Sequence, residues 1–379
     1  MNAIKDADLQ VTTSIIAHDT IPDHLLVLVH GILASSSDWK YVERELKKHL
    51  GIKYLIYVSS INTYLHTLNG VDVGGRRLAD EIYQVVEKNK SLKKISFLCH
   101  SLGGLFARYA IALLFKEEVK ARYKSQGHLK STGMTSGQVC TVAGLEPVNF
   151  ITLATPHLGV RGKKQLPFLL GVPVLEKIAV PLAPLIVGRT GRQLFLMDGK
   201  ASDPPLLLRM VSDCEEGRFL SALGSFQLRV VYANVSYDHW VGWRTSSIRR
   251  ETELPKPPRH SLKGYKHVMS VVDYPAVPTK SPSFQKNAAE AKEAAQTDPS
   301  SKKAVEYHEI LEEEIVKGLQ QISWRKVDIS FHSALWPYLA HNHIHVKQEW
   351  LYYEGAGVVT HVADTLKQQE KLPFLEASL

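Results

Sequence analysis

Short apolar runs alternate along this chain with longer segments in which apolar residues recur every three or four positions. Leu25 to Val29, Tyr54 to Val58, Ile95 to Cys99, Val148 to Leu153, Phe226 to Val235 and Ile322 to Phe331 are runs of the first kind. Continuous apolarity, as in LLVLV, marks strands buried on both faces. The intervening segments read as helices. One starts near Trp39, capped by Asp38, and ends before Gly51. Gly75 to Lys88 places Leu78, Ile82 and Val86 on one face, and Leu102 to Phe115 follows the third strand directly. AVEYHEILEEEIVKGLQQ carries Leu311, Ile315 and Leu319 at helical spacing, and a last helix spans Gly357 to Leu366. Strands alternating with helices predict an α/β fold, a doubly wound and mostly parallel sheet with right-handed crossovers.

Two stretches interrupt the alternation. Gln165 to Gly188 is apolar but holds Pro167, Pro173, Pro181 and Pro184, so it is not one straight helix. Pro278 to Lys303 is rich in Ala, Ser, Lys and Pro and reads as a flexible insertion. Strands continue after both. The expectation is therefore one elaborated domain over residues 1–379, with a core of about 22–160, 226–247 and 304–366.

The third strand ends in Cys99-His100-Ser101-Leu102-Gly103-Gly104. A strand that feeds a helix through so sharp a turn pushes its central side chain out at the C-terminal edge of the sheet, where open α/β folds bind ligands. Small residues on either side of the serine let the backbones approach, which is the logic of the nucleophile elbow G-x-S-x-G. Cys99 stands at the first glycine position; it is small enough to serve there, though larger than glycine. A nucleophilic Ser101 also needs donors for an oxyanion. The Leu102 N–H, at a helix start, is one. The second is sought in LVHGILASSSDW, where His30-Gly31 lets the backbone come close: Ile32 N–H first, Leu33 next.

Composition narrows the function classes. The chain has 379 residues, 44% hydrophobic and 22% charged, as a globular protein with a sizeable core would. Its net charge of +8 is spread along the sequence without a basic block interleaved with aromatics, which argues against nucleic-acid binding and leaves weak attraction to anionic lipid. Three cysteines without a close pair argue against a disulfide framework or a zinc site and fit a reducing compartment, so a cytoplasmic protein is expected. No apolar run reaches the roughly 18 residues of a membrane span.

LLVLVHGILASSSDW, ISFLCHSLGGLFARYAI, ITLATPHLGV and AHNHIHVKQEW resemble the putative serine esterase family, a lipase-like branch of the α/β-hydrolases. The resemblance covers about residues 22–366. It implies an α/β-hydrolase fold with a cap inserted at about 161–225, hydrolysis of acyl-lipid esters, and no cofactor or metal. Chain order in that fold is serine, acid, histidine. The acid should follow the next strand but one after the serine. Asp238, just past FQLRVVYANV, fits; Asp213 and Asp273 are rivals that follow no apolar strand as closely. The histidine should follow the last strand. Among 17 histidines, the resemblance maps the family's Ala-His-Asn onto His341, with His343 second and His332 third. His157 in TPHLG is read as shaping a loop near the site. Phe168, Leu169 and Leu170 in the cap are candidates for an acyl-chain wall and for peripheral contact with a membrane or lipid droplet. Two other readings use the same residues: an inactive relic that binds lipid or protein, and an enzyme passing the acyl group to an acceptor other than water.

Overall fold

A computed structural model of the protein describes residues 21–119, 138–160, 188–199, 204–256, 258, 260–278 and 302–371. Its strands in chain order are β1 (His24–Val29), β2 (Tyr54–Val58), β3 (Lys94–His100), β4 (Phe115–Val119), β5 (Gln138–Val142), β6 (Glu146–Leu153), β7 (Asp213–Cys214), β8 (Gly217–Arg218), β9 (Leu228–Asn234), β10 (Val268–Tyr274) and β11 (Trp324–Ile329). Seven of them form the central sheet in the order β10-β11-β9-β6-β3-β1-β2. Neighbours pair in parallel except β10, which runs antiparallel to β11. Strands β4 with β5 and β7 with β8 make two small hairpins. The longer helices are α1 (Lys40–Leu50), α2 (Val71–Lys88), α3 (Gly103–Leu114), α4 (Lys302–Leu319) and α5 (Ala356–Lys371).

The continuous apolar runs are explained by two cores, one on each face. Leu25, Val27, Val29, Ile95, Phe97 and Cys99 pack with α2, α3 and α4. Leu26, Leu28, Leu98, Ile151, Val230 and Val327 pack with α1 and α5. Alternate residues of one strand thus enter opposite cores, the pleat at work. Residues 194–196, 206–211 and 219–223, within the expected cap stretch, supply Leu196, Leu207 and Leu223 to the first core.

The chain winds outward from β1 to β2, then crosses back to β3 and continues through β6 and β9 to β11. The loops after β1 and β3 therefore leave the sheet edge in opposite directions, opening a crevice between them. Several features differ from expectation. Strand β10 and the β4–β5 and β7–β8 hairpins stand where no strand is expected. Asp38 does not cap a helix: a 3-10 turn over Ser36–Trp39 precedes α1, and the Asp38 carboxylate instead pairs with Lys347 Nζ at 3.1 Å. Among the described residues no helix is long and apolar enough to cross a membrane. Phe168, Leu169 and Leu170, and nearly all of 278–303, lie outside the described residues.

Candidate active site

The elbow is built by backbone packing. Beyond the end of β3, the Ser101 N–H extends the ladder to β6 by donating to the Leu153 carbonyl at 2.9 Å. The chain then reverses: Ser101 takes φ of 53°, in the left-handed region that costs a non-glycine residue strain. α3 begins two residues later. A Cβ on Gly103 would strike the main-chain oxygens of Val29 and His30. One on Gly31 would lie 2.8 Å from Ser101 Cβ, and one on Gly104 would strike the Thr155 hydroxyl. Three glycines thus let the ends of β1, β3 and β6 meet. The Thr155 hydroxyl also donates to the Ser101 carbonyl at 2.8 Å. Cys99 is fully buried on the face toward α3, and burial pushes its thiol pKa well up.

Asp238 follows β9, beyond a turn in which Tyr237 takes φ of 62°. Its Oδ1 accepts the N–H groups of Trp240 at 3.0 Å and Val241 at 2.9 Å. Its Oδ2 accepts the Asn234 side-chain amide at 2.8 Å and His341 Nδ1 at 3.0 Å. Burial alone would raise the Asp238 pKa; the His341 charge and these hydrogen bonds outweigh it, and the carboxyl sits below its ordinary range. A carboxylate can only accept, so His341 Nδ1 carries the hydrogen. Nε2 therefore presents its lone pair, and Ser101 Oγ lies 3.0 Å from it. Ser101, Asp238 and His341 are all buried.

The rivals stand elsewhere. His343 gives its Nε2 hydrogen to the Trp336 carbonyl at 2.9 Å, and His332 faces the Tyr237 hydroxyl at 2.9 Å through Nδ1. Asp213 pairs with Arg218 and Asp273 with Arg325, both at the surface. His157 is buried with Nε2 3.0 Å from Thr152 Oγ1, and burial pushes its pKa well down; it shapes the loop after β6. At the other side of the crevice, the Leu33 N–H donates to Thr67 Oγ1 at 2.9 Å. That bond occupies the Leu33 N–H. Asn234 and Thr155 were not singled out from the sequence. The readable signal for Asn234 is its place at the end of the strand before Asp238; for Thr155 it is the TPH motif.

The family model described as putative serine esterase matches residues 20–248. The chain belongs to that family. Its fold is that of the α/β-hydrolases, with the seven-stranded sheet and the serine turn after β3. Among curated relatives, the putative lipase YDL109C of Saccharomyces cerevisiae is 30% identical over 233 residues, covering 59% of this chain and 30% of that protein. A putative lipase of Schizosaccharomyces pombe is 28% identical over 234 residues, covering 59% of this chain and 26% of its own length. The chain thus spans less than a third of the length of the relatives it matches. Among solved structures, Aspergillus fumigatus lipase B is similar over 79% of this chain and 63% of its own, at 11% identity and a TM-score of 0.36.

Proposed function

We propose that the protein hydrolyses carboxylic esters of acyl lipids, with Ser101 as nucleophile, His341 as base and Asp238 as its orienting acid. The observation that carries this reading is the His341 ring, 3.0 Å from Asp238 Oδ2 through one nitrogen and 3.0 Å from Ser101 Oγ through the other. His341 Nε2 takes the hydroxyl proton as Oγ attacks the ester carbonyl carbon, and the carbonyl electron pair moves onto oxygen. The Leu102 and Ile32 N–H groups hold that oxyanion, a contribution of about 3 kcal/mol per donor. Collapse expels the alcohol, which takes the proton from Nε2. Water then attacks the acyl-serine, gives its proton to His341, and the acid leaves as Ser101 recovers its proton.

An acyl-lipid substrate is supported by the rim of the crevice. Leu33, Tyr64, Leu65, Trp240, Leu335, Trp336 and Tyr338 are exposed. They lie on loops after β1, β2, β9 and β11, on the sheet edge where Ser101 opens. Such a concentration of apolar surface marks contact with a partner, here a lipid surface.

A fluorophosphonate probe and a lipid ester test the proposal together. Wild type labels at Ser101 and hydrolyses the ester; Ser101→Ala does neither while melting as wild type does. An intact protein that never labels is the binding relic instead. Labelling with acyl transfer to an added alcohol but not to water makes it a transferase. Leu335→Ser with Trp336→Ser should lower hydrolysis of vesicle lipid and spare a soluble short-chain ester; equal loss on both removes the rim from lipid contact.

A further inference from the structure

His100 lies one residue before Ser101 and takes no part in the chemistry above. Its Nε2 lies 2.8 Å from the His341 carbonyl oxygen. A carbonyl only accepts, so Nε2 carries the hydrogen and donates. His341 sits in a four-residue helix, Ala340–His343, too short to satisfy its own last carbonyls. The His100 ring also touches the base: the two ring centres are 4.7 Å apart. His345 stacks on the same ring, 3.8 Å between centres and 25° between planes, and Trp39 backs His345 edge-on at 5.5 Å. Trp39, His345 and His100 are all buried.

We infer that His100, clamped by His345, is a positioning residue that fixes the main chain of His341 relative to Ser101. The inference rests on the reading of His341 as the base. Two consecutive residues at the end of β3 would then set both ends of the reacting pair. His100 holds the base by its backbone, and Ser101 offers the hydroxyl. The distance between nucleophile and base is thereby referred to one rigid strand end rather than to two loops. A neutral ring still donates from Nε2 and adds no like charge beside a base that becomes a cation, and burial, with the neighbouring His345 and His341, keeps the His100 pKa well below its usual value.

His100→Leu and His100→Gln separate donor from volume, because a glutamine amide can place an N–H near the position of Nε2 and leucine cannot. In single-turnover labelling by the fluorophosphonate and in steady-state hydrolysis of a soluble ester, His100→Leu lowers the labelling rate and kcat by about 10- to 100-fold, with KM within about twofold. His100→Gln regains most of that loss. Proton NMR of the hydrogen shared by His341 Nδ1 and Asp238 gives a readout independent of turnover: the downfield signal of wild type broadens away in His100→Leu and returns in His100→Gln. Leucine and glutamine variants that match each other, whether both active or both impaired, overturn the donor role. A wild type that shows the NMR signal but never labels removes the proposed function and leaves the NMR pair to decide on His100. If His100→Leu melts below assay temperature, His345→Ala and His345→Phe ask the same question of the clamp. Alanine lowers kcat several-fold and phenylalanine restores it; equal values overturn the clamp.

Discussion

The serine turn and the histidine loop meet where Ser101 Oγ lies 3.0 Å from His341 Nε2 and where His100 donates to the His341 carbonyl, yet they are held by different means. The turn is mostly backbone: a ladder bond from Ser101 to Leu153, a left-handed φ, and Gly103 pressed against the main-chain oxygens of Val29 and His30, with one side-chain bond from Thr155 to the Ser101 carbonyl. The histidine loop hangs on side chains. Asp238 holds the ring, His100 holds the carbonyl, and His343 anchors to Trp336. A region made by backbone close approach refuses any added atom but owes little to the chemistry of its side chains. A region hung on side-chain hydrogen bonds accepts changes of volume and fails when a donor or acceptor changes type.

The largest consequence falls on the histidine loop. Asp238→Asn keeps the volume but offers its amide as a donor toward Nδ1, favouring the wrong tautomer. The kcat for ester hydrolysis should drop by about four orders of magnitude. The melting temperature should fall far less than complete loss of structure would require. Near-full activity in Asp238→Asn would mean that another group orients His341. On the turn, Gly103→Ala adds one carbon against two main-chain oxygens that cannot rotate away. It should lower stability by about 1–3 kcal/mol and activity by about a hundredfold. Wild-type activity in Gly103→Ala would show that β1 can move away from the turn.

The same contrast governs what could be read before any coordinates. Backbone-made features announce themselves locally. LLVLV, the run ending at Cys99 and the paired glycines after Ser101 identify the strands, the sheet class and the turn, because pleat and close approach select residue types within a few positions. Features made by distant side chains do not. Apart from the family's Ala-His-Asn pattern, nothing near His341 distinguishes it from His343; the physical difference is that Trp336 takes the second and Asp238, 103 residues away, takes the first. Asp38 carries a helix-cap signal that Lys347 overrides with an ion pair. Ile32 ranks before Leu33 on the sequence, but the reason that Leu33 is engaged, its bond to Thr67 34 residues away, is not visible there. Strand β10 is an edge with part of its surface open, so its sequence lacks the continuous apolarity that marked the inner strands.

Acid should destabilise the protein through its buried histidines. His361, on α5, lies with Nδ1 2.8 Å from the Tyr232 hydroxyl, and burial is the main cause that pushes its pKa from 6.5 down to about 4. The folded protein therefore binds this proton less readily than the unfolded chain. Its contribution is complete above the unfolded value and is lost as pH falls from 6.5 toward 4. The loss is at most about 3 kcal/mol. Asp238, with a lowered pKa, adds its own loss below the ordinary carboxylate range. Urea denaturation of wild type between pH 7 and pH 4 should show stability falling, and His361→Gln should flatten that slope. An unchanged slope would assign the acid sensitivity to other groups.

The smallest effect is expected at Cys99, where the turn departs from its usual glycine. Cys99 pairs with Val29 on one side and Thr152 on the other, inside the ladder rather than at the crossing of chains. Its side chain enters the core that holds α3, and its thiol is kept protonated by burial. Nothing in that setting uses sulfur chemistry, and the crossing that needs a missing side chain is at Gly103, not here. Cys99→Ala should therefore keep kcat/KM for a soluble ester within about twofold and lower stability by about 1 kcal/mol, the usual scale of a small core truncation. Cys99→Leu adds volume at the root of the turn and should lower activity through overpacking, by less than Gly103→Ala does, because side chains rather than main chain must yield. Urea midpoints alongside ester kinetics check both. A well-folded Cys99→Ala without hydrolysis would show that the thiol acts at the turn, and the division between a backbone-made nucleophile and a side-chain-made base would no longer hold.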